Sequence, residues 1–345
     1  MEYIGLDVHR HYTVLARVDE AGRVLSHEKV ANALVPEAVA GGGNSCRVVL
    51  EATANWGYIC DLLEAQELVE EVALAHPLQV KAIAHAKVKT DKVDATTLAQ
   101  LLRVDMIPRS YLAPRQIREL RDLLRLRASL VRLRTGVKNK VHATLAKEGF
   151  EVPVTDLFGR GGRRWLAERA LSPTHALTVS SYLAVIDQID AQIKEVTAQI
   201  DKEAAQQESV SWLTSIPGIA RYSALLILSE VGDVSRFPDG DHLAAYAGLV
   251  PVVRSSGGHT HLGSVTKQGS PWLRWVLVET VHRNANKSGA IGERYRKLCR
   301  KKGSATASVA VARWLATCIY ALLTEQRPFT QDPRGSRFDM AKTGR

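Results

Sequence analysis

Two carboxylates stand where a carboxylate is costly. Asp7 closes the apolar run YIGLD and Glu51 closes RVVLE, so each acid ends a stretch that reads as a buried strand. An acid in such a place needs a cation, a hydrogen-bond network or a metal to offset its desolvation. Asp91 and Asp94 follow, three residues apart at the start of a helical pattern, and positions i and i+3 share one helix face. Brought together at the tips of central strands and one helix, the four would hold Mg²⁺, a hard cation that takes oxygen ligands. Two such ions can activate an attacking group and stabilise the leaving oxygen of a phosphodiester. Singly, each acid has a plainer explanation: capping and the helix dipole favour Asp at a helix start, and a strand-end acid can be partly solvated. The joint order D…E…D-x-x-D favours the metal site.

A second constellation is the stretch 248–258, which carries Ser255 and Ser256 directly before Gly257 and Gly258. A serine beside glycine can approach a phosphate closely, and its hydroxyl becomes a nucleophile once activated; an ordinary loop serine is the commoner case. Lys267 and Arg274 add cations nearby, and His259 and His261 read as solvated or phosphate-contacting loop histidines ahead of metal ligands. A third feature, Ile216-Pro217-Gly218-Ile219, resembles the turn of helix-hairpin-helix motifs, with Ala220 where a second glycine is usual. A Pro-Gly turn is also a routine helix connector.

These residues need elements to position them. Residues 3–8, 12–18 and 23–30 read as three strands, 46–52 and 69–75 as two more, with helices at 34–40, 55–66 and 91–104. The order βββαβαβα suits a mixed sheet with helices on both faces, by analogy the RNase H-like fold. From 116 to 148 apolar residues recur every three or four positions, which predicts one long amphipathic helix. Residues 149–180 read as irregular. Tyr182, Ile186, Ile189, Ile193, Val196 and Ile200 then form a heptad seam, predicting a helical hairpin packed on itself or on a partner subunit. Beyond residue 211 the pattern is mainly helical, with a Gly- and Ser-rich stretch at 248–270 and a loose tail from about 331.

Charge adds a partner class. Forty-six Lys and Arg face 36 Asp and Glu, a net charge of +10. Such a surplus favours a polyanion, and its clustering on one helix is the footprint of a nucleic-acid surface. Arg121, Arg125, Arg132 and Lys138 of the 115–140 run, with Lys267 and Arg274, are the candidate contacts; a second basic cluster covers 294–302. No run approaches eighteen consecutive apolar residues, which argues against a membrane span. The first residues lack a signal-peptide pattern, and four dispersed cysteines fit a reducing cytoplasm better than a disulfide framework.

The combination of YIGLD, VVLEATANWGY, KTDKVDA, SIPGIARYSALLILSEVGD and AAYAGLVPVVRSSGG…LG…TKQGSPWLR resembles the DEDD-type insertion-sequence transposases, described as bridge-RNA-guided recombinases. The likeness extends to about Phe329. It implies a RuvC-like (RNase H-like) catalytic domain at 1–108, a helical coiled-coil region at 109–208, a C-terminal transposase domain at 209–330 and a tail at 331–345. It implies a tetrad of Asp7, Glu51, Asp91 and Asp94, and a nucleophilic serine preceding glycine, here Ser256 with Ser255 adjacent. It also implies DNA and a structured guide RNA as partners, a homo-oligomer of two to four copies, and composite active sites. The alternatives are a junction-resolving or RNase H-like nuclease that uses water as nucleophile, and a basic scaffold with no activity. The Ser-Gly loop argues against the first and the intact tetrad against the second.

Overall fold

The computed structural model describes residues 1–52, 55–83, 90–256 and 259–329, with the backbone alone over 253–262. Its contacts divide the chain into two compact units, Met1–Gln116 and Ile117–Arg345.

The first unit holds β1 (Glu2–Val8), β2 (Tyr12–Val18), β3 (Val24–Ala31), α1 (Val35–Ala40), β4 (Cys46–Glu51), α2 (Trp56–Glu64), β5 (Val69–Ala75), α3 (Pro77–Ile83) and α4 (Asp91–Arg103). Its sheet runs in the order β3-β2-β1-β4-β5. β1 pairs antiparallel with β2 and parallel with β4, β3 is antiparallel to β2, and β5 is parallel to β4. This is the RNase H-like mixed sheet that the element order predicts. β1 and β4 are continuous apolar runs because both of their faces are covered. Ile4, Leu6, Val48 and Leu50 meet Ile59 and Leu63 of α2 on one face. Val49 meets Leu98 and Leu102 of α4 on the other. At the edge, β3 is mostly exposed and correspondingly polar.

Two features of this unit are not legible as sequence pattern. Glu2 and Arg17 are both buried and form an ion pair. Arg17 also donates to the carbonyls of Ala38 and Val39, and Asn44 donates to Glu2, so the pair ties α1 and the β4 approach to the sheet. Helix α3 was not expected; its seven residues are too short for periodicity to register.

The second unit contains α5 (Arg115–Lys147), α6 (Arg160–Ala167), α7 (Pro173–Ala205), α8 (Glu208–Thr214), α9 (Arg221–Val231), α10 (Gly240–Tyr246), β6 (Pro251–Ser256), β7 (His259–Val265), α11 (Pro271–Asn284), α12 (Ala290–Lys302) and α13 (Ser304–Glu325). Helices α5 and α7 lie antiparallel. Arg127 donates to Thr197 and Arg134 pairs with Asp190, while Val141 and Leu145 pack with Val179 and Ile186. The heptad seam of α7 is thus covered, at least at Ile186, Ile193 and Ile200, within the chain itself. Leu126 and Leu133, seven residues apart on α5, remain exposed.

Elsewhere the structure departs from the expected pattern in three places. The segment 149–180 is not irregular throughout: it holds α6 and the start of α7, which Pro173 opens. The stretch 248–270 is not simply a loop but carries the antiparallel pair β6–β7, its strand signal masked by the surrounding glycines. Helix α12 is amphipathic and strongly basic, a case where charge hid the periodicity. Helix α13 is long and apolar enough to cross a membrane by length and composition. Its Val311, Leu315, Ile319 and Leu322 are buried in the unit's core, and Arg313 interrupts it, as suits a central core helix. The tail expected from residue 331 lies outside the described residues.

Candidate active site

The placement of the acids follows from one glycine. Side chains of a strand alternate between faces, so Gly5 and Asp7 share the face of β1 that meets α4, and His9 follows just past the strand end. A Cβ on Gly5 would stand 1.9 Å from the carbonyl oxygen of Ala95 and 2.7 Å from the amide of Ala99. Only glycine lets α4 lie this close. The apolar stripe of α4, Ala95, Leu98, Ala99 and Leu102, is buried. Asp91 and Asp94 continue that stripe at its N-terminal end, and Thr90 caps the helix by accepting from the amide of Val93 at 3.3 Å. With Ala95 over Gly5, the start of α4 reaches the C-terminal end of β1, where Asp7 stands. Glu51 enters from β4: the parallel register pairs Leu6 with Leu50, and Asp7 and Glu51 are each the next residue. Glu51 also follows Val49 on the α4 face.

The closest cluster is Asp7, His9 and Asp91, whose ligand-capable atoms all lie within 4.8 Å of one another. His9 Nε2 is 3.1 Å from Asp7 Oδ2 and 3.2 Å from Asp91 Oδ2. Tyr12 donates its hydroxyl to Asp91 Oδ2 at 3.4 Å. The Asp7 side chain is 22% exposed and that of Asp91 45%, so the centre is open to solvent on one side. Burial lifts the Asp7 carboxyl above its ordinary range; the negative charges of Asp91 and Asp94 push the same way against the opposing His9. Asp94 is therefore close enough to act on Asp7, although it and Glu51 are not in the tightest set. The two carboxylates of Asp7 and Asp91, converging with His9 Nε2, fit a divalent cation. The sequence reading missed His9, although the spacing D-x-H continues the strand's period of two.

Models of known families decide the kinship. A DEDD-type IS110 transposase model matches residues 4–148, and that of the Transposase IS116/IS110/IS902 family matches 210–296. The chain belongs to the DEDD-type IS110 family of transposases. Its curated relatives include "Transposase for insertion sequence element IS1111A" of Coxiella burnetii, 26% identical over 95% of this chain and 91% of the relative. A "Probable family 20 transposase" of Pseudomonas aeruginosa is 26% identical over 94% and 97%. The "Pilin gene-inverting protein" of Moraxella bovis is 26% identical over 75% and 74%. Membership makes the chain a DNA transposase, an enzyme that cleaves and rejoins DNA strands, of a family that uses divalent metal.

Within this transposase the serine segment is held at its base. Ser256 ends β6, paired with His259 of β7 in the backbone register, and Ser255 pairs with Thr260; Gly257 and Gly258 lie outside the described residues. Where β6 begins and β7 ends, the chain is cross-tied. The amide of Ser270 donates to the carbonyl of Tyr246 at 3.0 Å, and Arg274 Nη1 donates to that of Ala247 at 3.0 Å. Gly269, at φ +93°, lies so close to Tyr246 that a Cβ would stand 2.0 Å from its carbonyl oxygen. Arg274 therefore holds backbone within the chain. Burial pushes the Cys318 thiol up to about 12.

The basic residues of α5 divide by what they touch. Arg121 donates to the carbonyls of Ser229 and Glu230, and Arg125 pairs with the buried Glu230 at 2.7 Å. Glu230 also accepts from Ser270 at 2.8 Å, which links α5, α9 and the start of α11. Lys138 lies over the Phe158 ring. Arg132 and Lys267 are exposed. Arg132 lines a groove of about 540 Å³ with Arg127, Tyr222, Trp272 and Trp275. On α12, Arg296 is engaged with the carbonyls of Ala285 and Lys287, whereas Lys297, Arg300 and Lys301 are exposed.

Proposed function

We propose that this transposase recombines DNA through Asp7, Glu51, Asp91 and Asp94 as a Mg²⁺-binding carboxylate set and Ser256 as nucleophile. The observation that carries the reading is the meeting of Asp7 and Asp91 at the end of β1, with Glu51 next to Asp7 in register and Asp94 acting on its charge. When bound, the metal supplies charge that polarises the phosphate and stabilises the departing oxygen. The protein's own part is to hold the acids on one face and to present Ser256 from the end of β6. In the reaction, Ser256 Oγ gives up its proton and forms a bond to phosphorus, the bond from phosphorus to one deoxyribose oxygen breaks, and that oxygen leaves with a proton, so no proton is gained or lost overall. The phosphodiester is conserved as a phosphoserine ester, so the reverse attack by a strand's hydroxyl rejoins DNA without an external energy source.

The resemblance supports a structured guide RNA as second partner and an assembly of two to four copies. Exposed Leu126 and Leu133 give α5 an apolar strip that a second copy of the chain would cover. Arg132, Lys267 and the exposed basic face of α12 are the surface offered to nucleic acid, and the Trp272–Trp275 pair beside Arg132 suits stacking of an unpaired base. Four free cysteines, three of them buried, fit a cytoplasmic protein.

The test uses the full chain with its element DNA. Asp7→Asn should abolish strand cleavage while DNA binding persists. Ser256→Ala should eliminate covalent protein–DNA adducts and recombination, with metal binding intact. Adduct loss in Ser255→Ala alone would move the role to the neighbouring serine. Cleavage surviving both serine changes would favour the nuclease reading, with water as nucleophile.

A further inference from the structure

The geometry points to His9 as a nitrogen ligand of the divalent centre formed by Asp7 and Asp91, which makes the site mixed N/O in character. This rests on the acidic cluster being a metal centre. His9 lies beyond the last residue of β1, yet it keeps the strand's alternation and therefore turns to the same side as Asp7. Its Nε2 is 3.1 and 3.2 Å from carboxylate oxygens on two different elements. Adjacent ligands each ~2.1 Å from an octahedral ion stand about 3 Å apart, so His9 Nε2 already has the spacing of a neighbouring ligand from both carboxylate oxygens, and all three atoms lie within 4.8 Å of one another.

The ring is also held, which is what a ligand needs and a solvated surface histidine lacks. Tyr12 stacks on it at 4.6 Å between centroids, and Tyr12 is itself fixed by its hydroxyl on Asp91 and by Lys29 at 3.7 Å over its ring. The backbone beneath is clamped from two sides. Asn32 Nδ2 donates to the carbonyls of His9 and Arg10 at 3.0 and 3.2 Å, and Asn55 Nδ2 donates to the same two at 3.3 and 3.1 Å. The His9 amide donates to the Tyr12 carbonyl at 2.9 Å and closes the turn. Two asparagines from separate segments thus fix the short turn that carries His9 and the Tyr12 hydroxyl to the centre. The chemical consequence is selectivity. Imidazole nitrogen suits Mn²⁺ and Co²⁺ better than Mg²⁺, whereas an all-carboxylate set discriminates less.

Calorimetric titration of the full chain with Mg²⁺ and with Mn²⁺, in the absence of DNA, should show tighter Mn²⁺ binding. His9→Ala should weaken Mn²⁺ by at least about tenfold and Mg²⁺ by less, with an unchanged circular dichroism spectrum. Spin-echo EPR of the Mn²⁺ complex should show nitrogen coupling that changes when histidine is labelled with ¹⁵N and disappears in His9→Ala. The labelled wild-type measurement needs no variant to fold. Mn²⁺ bound without nitrogen coupling, or bound as tightly by His9→Ala, would overturn the assignment while leaving the carboxylate centre standing. Failure of the wild-type chain to bind either ion would sink the metal centre itself.

Discussion

Gly5 governs whether the acidic residues can meet. The Ala95 carbonyl occupies the space a Cβ would need, and backbone cannot step aside as a side-chain end can. Gly5→Ala should therefore push α4 off the sheet and cost more than the ~1–3 kcal/mol typical of overpacking. Urea unfolding measures that cost, and Mn²⁺ affinity measured on the same variant should fall because Asp91 and Asp94 move with the helix. Unchanged stability would mean that α4 does not rest on β1. Among the ligand candidates, Asp7 and Glu51 stood out in the sequence because an acid at the end of an apolar run is a visible anomaly, and Asp91 and Asp94 because their spacing puts them on one face at a helix start. His9 did not, because histidine beside arginine after a strand looks like any polar turn. Its meaning depends on Asn32, Asn55 and Tyr12, which no spacing rule connects to it.

At the scale of elements, the arginine-rich helix shows what a charge run conceals. Composition reports the sign of a helix's charge and not its partners. Arg121 and Arg125 look no different from Arg132 in the sequence, yet they lie against α9 and the buried Glu230, which sits within the apolar stretch SALLILSEV. Glu230 is buried but Arg125 is 37% exposed, and Ser270 still donates to Glu230 without it, so losing Arg125 costs less than the ~3–5 kcal/mol of a fully buried pair, about 1–2 kcal/mol. Arg125→Ala should lower the urea midpoint by a corresponding amount, whereas Arg132→Ala, at an exposed position, should leave it within about 0.5 kcal/mol. Equal effects would remove the distinction between the two arginines. The N-terminal unit has its own buried pair with a pH signature. Against the burial that raises it, hydrogen bonds from Asn44 and Arg17 and the Arg17 charge hold the Glu2 carboxyl below its ordinary value. A depressed carboxyl contributes stability that is complete above its unfolded pKa and is lost as the pH falls through the folded one. Glu2→Gln should therefore lose stability at neutral pH and flatten the acid limb of the unfolding curve below about pH 4. The long helices and most strands were legible because their periods are sustained. Helices α3, α6 and α12 and the β6–β7 pair were not, being short, basic or glycine-flanked.

For the molecule as a whole, a net charge of +10 fixes the sign of the long-range field but not where nucleic acid lies. The counterion account supplies a measurement that does: each phosphate neutralised contributes about 0.9 to the slope of log K against log salt on duplex DNA. If Arg132 on α5 and Lys297 on α12 both face phosphate, Arg132→Ala and Lys297→Ala should each weaken DNA binding and reduce that slope by about one. The double variant should reduce it by about two, because independent contacts add. Arg274→Ala serves as the contrast. Its guanidinium holds the Ala247 carbonyl at the base of the β6–β7 pair, so its loss should disturb the placement of Ser256 and depress recombination with little change in the salt slope. A slope unaltered in Arg132→Ala and Lys297→Ala would exclude these two faces as phosphate contacts and direct the search to the cations that remain. A slope that fell in Arg274→Ala would mean the guanidinium leaves its backbone carbonyl to reach the DNA, and the serine segment would then be positioned by nucleic acid as well as by the fold.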